Sequence, residues 1–240
     1  MNALERVTAE IVNCKRCARL RQYCELVAQE KKAAHRDDEY WGKPVPGFGD
    51  PRARVLILGL APAAHGANRT GRVFTGDGIG ASGDFLMAAL HRAGFASLAT
   101  SRRPDDGLRL TDCYIAATVR CAPPENKPRP EEIVACADHL DAEVHALPRL
   151  QSVVALGRIA WDAWLQHLAR AGIAVRPKPG FGHGAAFEYC ICGTSGTLGT
   201  SGTPGTLIGC YHPSRQNTNT GKVTPVMYDE VFTRVRACLR

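Results

Sequence analysis

Two short apolar runs, each emptying into a loop of small and polar residues, constrain this chain more than any other feature. Arg54-Val55-Leu56-Ile57-Leu58 leads into Gly59-Leu60-Ala61-Pro62-Ala63-Ala64-His65-Gly66, and Leu207-Ile208-Gly209-Cys210-Tyr211 leads into His212-Pro213-Ser214-Arg215-Gln216-Asn217. A brief apolar run stopped by glycine or polar residues is the pattern of a strand buried on both faces. Cys113-Tyr114-Ile115-Ala116-Ala117-Thr118-Val119 and Val153-Val154-Ala155-Leu156-Gly157 read the same way. Helical stretches lie between and after them, over 85–92, 131–146, the residues up to Arg170, and 225–239. Strands that alternate with helices predict a parallel sheet sandwiched between helices. In such a sheet the loops leaving the strands' carboxyl ends share one edge, and ligands bind there.

The rest of the chain frames this core. Residues 3–12 and 18–34 read as helices with a basic surface, supplied by Lys15, Arg16, Arg19, Arg21, Lys31 and Lys32. Residues 35–53 hold Trp41, Pro44, Pro46, Gly47, Gly49 and Pro51 and read as irregular loop. Residues 194–205 are a tandem repeat of Thr-Ser-Gly-Thr-Leu-Gly and Thr-Ser-Gly-Thr-Pro-Gly, a linker-like composition. The expectation is one domain over 1–240, with a flexible insertion at 193–206. At 240 residues the chain can bury a full core, and its formal charge of +7 favours polyanionic partners. No stretch approaches the ~20 apolar residues of a membrane span. The amino terminus lacks the apolar segment of a secretory signal, so the sequence reads as a cytoplasmic chain.

Ten cysteines are many for such a chain. Disulfides need an oxidising compartment, which nothing here indicates. Cys14-Lys15-Arg16-Cys17 is a Cys-x2-Cys pair, whereas Cys121 and Cys136 have fourteen residues between them, across a proline loop and a helix. Four thiolates suit tetrahedral zinc or an iron–sulfur cluster, and the absence of a second tight knuckle leans toward a cluster. Cys24, Cys190, Cys192 and Cys238 read as small apolar packing groups.

The segment Gly59–Gly66, the following Asn68-Arg69-Thr70-Gly71-Arg72-Val73-Phe74-Thr75-Gly76-Asp77 and the later Tyr211–Asn217 together resemble the uracil-DNA glycosylase superfamily. The nearest likeness is to its family 5 (type B), the iron–sulfur enzymes of bacteria and archaea. Trp41 to Asp50, Val119 to Pro130 and the cysteine pattern extend the likeness over nearly the whole chain. The resemblance implies a three-layer α/β/α sandwich around a four-stranded parallel sheet. It also implies a 4Fe-4S cluster held by Cys14, Cys17, Cys121 and Cys136, which would tie residues 1–35 to the body. The activity it implies is monofunctional hydrolysis of the bond between uracil, or another deaminated base, and deoxyribose. The partner would be single- or double-stranded DNA carrying that base, bound by a monomer.

A glycosylase has to extract a nucleotide from the stack and stabilise both a sugar cation and a departing base anion. Asp77 closes a Gly-rich loop after the first strand, where a carboxylate could orient water or stabilise the cation; Gly76-Asp77-Gly78 is equally a common turn. His212 follows the last strand and could donate to a base carbonyl. Asn126 matches the family's active-site amide, able to donate and accept together. Phe74 is a stacking platform on this reading, and Ala61 and His65 belong to the pocket, with Arg72 a weaker candidate. Ser214, Arg215 and Gln216 would hold phosphate and probe the minor groove. No lysine is placed for a Schiff base, so strand cleavage is not expected. Gly76–Gly80 lacks both the Gly-Lys-Ser/Thr ending of a phosphate loop and a dinucleotide fingerprint. A non-catalytic or covalently trapping uracil-DNA binder on the same fold and a zinc-stabilised nucleic-acid module are the competing classes.

Overall fold

The computed structural model describes residues 2–173, 175–191 and 203–239. Its centre is a six-stranded sheet made of β1 (Phe48–Gly49), β2 (Val55–Gly59), β3 (Cys113–Ala117), β4 (Ser152–Leu156), β5 (Ala186–Ile191) and β6 (Thr203–Cys210), in the order β1-β3-β2-β4-β6-β5. The four inner strands are mutually parallel, and β1 and β5 add antiparallel edges. The expected four-stranded parallel sheet is therefore the inner part of a wider one. Both edges escaped the sequence pattern. β1 is only two residues inside the Pro/Gly loop, and β5 is a hairpin arm beside the repeat.

Alternation along the buried strands sorts the core into two layers. Val55, Ile57, Cys113, Ile115, Val154, Leu156, Ile208 and Cys210 face α4 (Ser82–Arg92) and α8 (Pro225–Cys238), meeting Leu86, Leu90, Tyr228 and Phe232. Their neighbours Leu56, Leu58, Tyr114, Ala116, Val153, Ala155 and Leu207 face α5 (Pro130–His145) and α6 (Arg158–Arg170), meeting Leu140, Trp161, Trp164 and Leu168. A side-chain period of two on strands sealed on both faces is what produces the α/β/α sandwich.

The amino-terminal segment forms α1 (Ala3–Val12) and α2 (Ala18–Glu30), followed by a single 3-10 turn at Ala33–His35. The helix expected over 18–34 thus stops early. Lys31 takes a positive φ of 52° and ends it. Leu20 and Cys24 of α2 pack on Val119, Cys121, Ala122 and Cys136. Of the expected insertion at 193–206, residues 203–206 belong to β6, and the preceding residues lie outside those described. Three further short elements complete the chain: a 3-10 turn at Pro124–Asn126, α3 (Ala67–Thr70) and α7 (Arg215–Asn219). No helix among the described residues is long and apolar enough to cross a membrane.

Candidate functional site

Crossovers leave β2 toward β3 on one side and β4 toward β6 on the other, so a crevice opens at the carboxyl edge where the direction changes. The loops after β2, β3 and β6 surround a cleft of about 600 Å³ there, a size suited to one small ligand. Thr118 stitches two of these loops together, its main-chain N–H and its Oγ1 both donating to Gly59 O at 2.9 Å.

The acid loop is held from its ends inward. Arg69 donates through Nε to His65 O (3.0 Å), through Nη1 to Asp38 Oδ2 (2.6 Å) and through Nη2 to Gly76 O (2.8 Å). Arg72 is buried beneath the same loop, donating to Thr75 Oγ1 (2.8 Å), to Pro104 O (3.0 Å) and to both oxygens of Asp106 (2.9 and 2.8 Å). Arg72 is therefore a strut under the loop and does not line the cleft, which corrects its reading as a pocket candidate. Phe74 takes a positive φ of 50° and sets its ring against Gly59, where a Cβ would lie 3.0 Å from it.

Asp77 reaches the cleft from this loop. Its Oδ1 is sealed from solvent with no hydrogen-bond partner, pressed so closely on Gly66 that a Cβ there would lie 1.7 Å away. Burial pushes its carboxyl up from 3.8 to about 6, against the attraction of Arg215 and Arg69. His212 lines the same cleft; its ring has no hydrogen-bond partner among the described residues and lies 5.9 Å from that of Phe74 at a tilt of 31°. Burial lowers its imidazole to about 4, so the ring is neutral at physiological pH. Its main chain is clamped on both sides. Asn217 Nδ2 donates to His212 O (2.8 Å), while Tyr211 N–H donates to His183 Nδ1 (3.2 Å) and Tyr211 O accepts from Tyr228 Oη (2.8 Å). Because His183 accepts at Nδ1, its Nε2 carries the proton and donates to Met227 O at 3.2 Å.

The structure brings Ala61, His65, Phe74, Asp77, Asn126, His212, Ser214 and Arg215 together around the cleft. Gln216, exposed on α7, is not part of the lining. Asn126 lines the cleft next to Glu125, both at positive φ (57° and 55°). His65 shares a hydrogen bond of 3.1 Å with Tyr40 Oη. Arg215 donates to the main-chain oxygen of Asp77 at 3.4 Å, leaving the carboxylate free. Sequence reasoning missed Tyr23, Lys32 and His35, which come to the cleft from the amino-terminal segment, and the tethers Arg69 and His183. The positive charges at the mouth are Lys32 and Arg215.

The four singled-out cysteines lie on the far side of the loop after β3. Cys14, Cys17, Cys121 and Cys136 line one small cavity with Leu20, Pro44 and Val119. They surround this space without converging on a point. No group of three or more His, Cys, Asp or Glu among the described residues is gathered as ligands of a single ion. Cys136 Sγ accepts the Arg120 main-chain N–H at 3.3 Å. Burial raises the thiols of Cys17 and Cys136, the latter to about 12.

Comparison with known proteins identifies the family. Residues 46–236 match the model of the uracil DNA glycosylase superfamily. A type-5 uracil-DNA glycosylase of Mycobacterium tuberculosis is 47% identical over 231 residues, 96% of this chain and 80% of that protein. One from Thermus thermophilus is 48% identical over 223 residues, covering 93% and 92% of the two chains, and one from Pyrobaculum aerophilum is 40% identical over 227 residues, covering 95% and 89%. With its family model spanning the whole carboxyl edge and its relatives matched nearly end to end, the chain belongs to the uracil DNA glycosylase superfamily, in its type-5 family.

Proposed function

We propose that this protein is a monofunctional DNA repair glycosylase that hydrolyses the N-glycosidic bond of uracil in DNA. The observation that carries the reading is a carboxyl with one sealed, partnerless oxygen and a neutral imidazole lining one cleft with room for a flipped nucleotide. The substrate is single- or double-stranded DNA bearing uracil or another deaminated base, met by a monomer in the cytoplasm. The flipped nucleotide enters the cleft, and its base stacks on Phe74 between Ala61 and His65.

As the bond lengthens, positive charge grows on the sugar and negative charge on the base. Asp77 answers the first, as an ionised carboxylate beside the sugar that also orients the attacking water. His212 answers the second by donating a neutral N–H to a base carbonyl oxygen, and the Asn126 amide can bind a carbonyl and an imide N–H together. Ser214 and Arg215 take the backbone phosphates, and Gln216, exposed beside them, reads the minor groove. The catalytic groups here are fixed by main-chain tethers, so little reorganisation accompanies the charge shift.

Cys14, Cys17, Cys121 and Cys136 hold a 4Fe-4S cluster on this reading. The donors fit it: four thiols line one small cavity, and three buried nitrogens on its wall, Arg120 Nε and Nη1 and His139 Nε2, have no protein partner. The cluster would supply no step of hydrolysis. It crosslinks α1 and α2 to the body, and with them Tyr23, Lys32 and His35 at the cleft mouth.

The test is base release from a labelled duplex carrying one U·G pair, with alkali added afterwards to cut abasic sites. Cleavage only after alkali is the expected result. Cleavage without alkali refutes the monofunctional assignment, and tight salt-sensitive binding with no release makes the protein a uracil-DNA binder.

A further inference from the structure

The cysteine cavity has a charged wall that four thiols alone do not explain. Arg120, directly before Cys121, is 1% exposed, and its Nη2 donates to Glu143 Oε2 at 2.5 Å. Glu143, on α5, is also 1% exposed, and its Oε1 takes two further donors, Gly47 N–H (2.9 Å) and Tyr114 Oη (3.1 Å). The carboxylate is thus saturated, whereas the guanidinium is not. Nε and Nη1 of Arg120 are buried without a partner, as is Nε2 of His139, and both residues line the cavity with all four cysteines.

Buried donors are nearly always satisfied, and leaving one unmade costs about 1–3 kcal/mol, more where the group is charged. Three such nitrogens on one wall point to an acceptor in the cavity. The remaining wall is Leu20, Pro44, Val119 and Ala135 together with Arg16 and Arg21, whose guanidiniums donate to Asp138 and to Gly42 O and Glu25, so it supplies cationic donors and no acceptor for the orphaned nitrogens. An anionic, sulfur-rich group suits the site, since a 4Fe-4S core in its usual 2+ state with four thiolates carries a net charge of about −2. The Arg120 main chain already donates to Cys136 Sγ.

We propose that Arg120, aligned by Glu143, and His139 form an outer shell of N–H donors to the anionic centre held by the four cysteines, and that this shell sets its reduction potential. The proposal rests on the cluster reading above. A fixed guanidinium stabilises the more negative, reduced state and raises the potential, and the buried carboxylate behind it tempers that effect. Arg120 and His139 are positioning and tuning residues with no part in base release. The pair therefore makes a prediction of opposite sign for its two members.

The experiment measures iron content and midpoint potential on the purified holoprotein for wild type, Glu143→Gln, His139→Gln and Arg120→Met. Glu143→Gln keeps the hydrogen-bonding shape and removes the compensating charge, so its midpoint should move to a more positive value with iron retained. Arg120→Met should move the midpoint to a more negative value and release iron to a chelator about ten-fold faster or more. His139→Gln should lie between wild type and Arg120→Met. Should Arg120→Met fail to fold, the sign of the Glu143→Gln shift decides. Iron-replete Glu143→Gln and His139→Gln with unchanged midpoints, or a negative shift in Glu143→Gln, overturn the outer-shell role. A wild-type protein that carries no iron defeats the cluster reading itself, a separate outcome.

Discussion

Replacing Asp77 by Asn should stabilise this protein while disabling it. The carboxyl is held at about 6 against an ordinary 3.8, chiefly because it is buried with one oxygen unpaired. That displacement of about 2 units corresponds to about 3 kcal/mol. The sign follows from linkage: a folded-state value raised above the unfolded one favours the fold at low pH, and the benefit is lost as pH rises through the folded value. Below about pH 3 both states hold the proton and the term vanishes; at pH 4.5 it is about 1 kcal/mol, and above pH 7 the full ~3 kcal/mol opposes folding. Asn never ionises and escapes this term, at the pH-independent cost of burying an amide. The stability difference between Asp77→Asn and wild type should therefore grow by about 2 kcal/mol from pH 4.5 to 7.5, or roughly 4–8 °C in Tm for a domain of this size. Thermal unfolding of the two proteins side by side measures it, because every other titrating group cancels in the difference. A difference that is flat with pH, or that shrinks toward neutrality, refutes the claim that burial raises this carboxyl.

Three further perturbations test the scaffolding of the site. Gly66→Ala places a Cβ 1.7 Å from Asp77 Oδ1; excision should fall about 100-fold or more with the circular dichroism unchanged, and near-wild-type turnover would show that the acid loop yields freely. Arg72→Met strands Asp106, now held down to about 2 largely by that guanidinium and three main-chain N–H groups. It should cost about 3 kcal/mol in urea unfolding, and a loss under about 1 kcal/mol would remove Arg72 as the strut of the loop. Cys17→Ala should abolish iron retention and open residues 1–35 to protease; a protease-resistant mutant with full iron would overturn the ligand set.

The inner sheet was legible because its signal is local. Each parallel strand is a short apolar run ended by a loop, and the positions of Asp77 and His212 follow once two such runs share an edge. The family likeness supplied what local pattern could not, above all Asn126, whose loop carries only a turn signature. What stayed hidden is non-local. Phe48–Gly49 pairs with β3 across more than sixty intervening residues, and nothing in a two-residue strand announces this. Arg72 and Arg69 are adjacent to the same motif and chemically alike. Only packing separates the strut bound to Asp106 from the tether bound to Gly76. Lys32 and His35 reach the cleft because the helix before them is docked by Leu20 and Cys24, an arrangement no window of sequence reports.

The two central side chains are shifted by the same cause in opposite directions, and this fixes the pH profile. Burial penalises charge, so it raises the Asp77 acid to about 6 and lowers the His212 base to about 4. The productive pair, carboxylate with neutral imidazole, therefore predominates at every pH above about 6 and is lost below it through protonation of Asp77 alone. His212 takes up its proton only where Asp77 is already neutral, so its titration is invisible in the rate. Single-turnover kcat/KM for uracil release should rise through one ionisation near pH 6 and show no falling limb up to pH 8. Residual activity in Asp77→Asn should lack the rising limb altogether. A falling limb between pH 6 and 8 would mean that a protonated imidazole is required at the base, and a limb that survives in Asp77→Asn would assign the ionisation to another group; either result removes burial as the device that sets this pair.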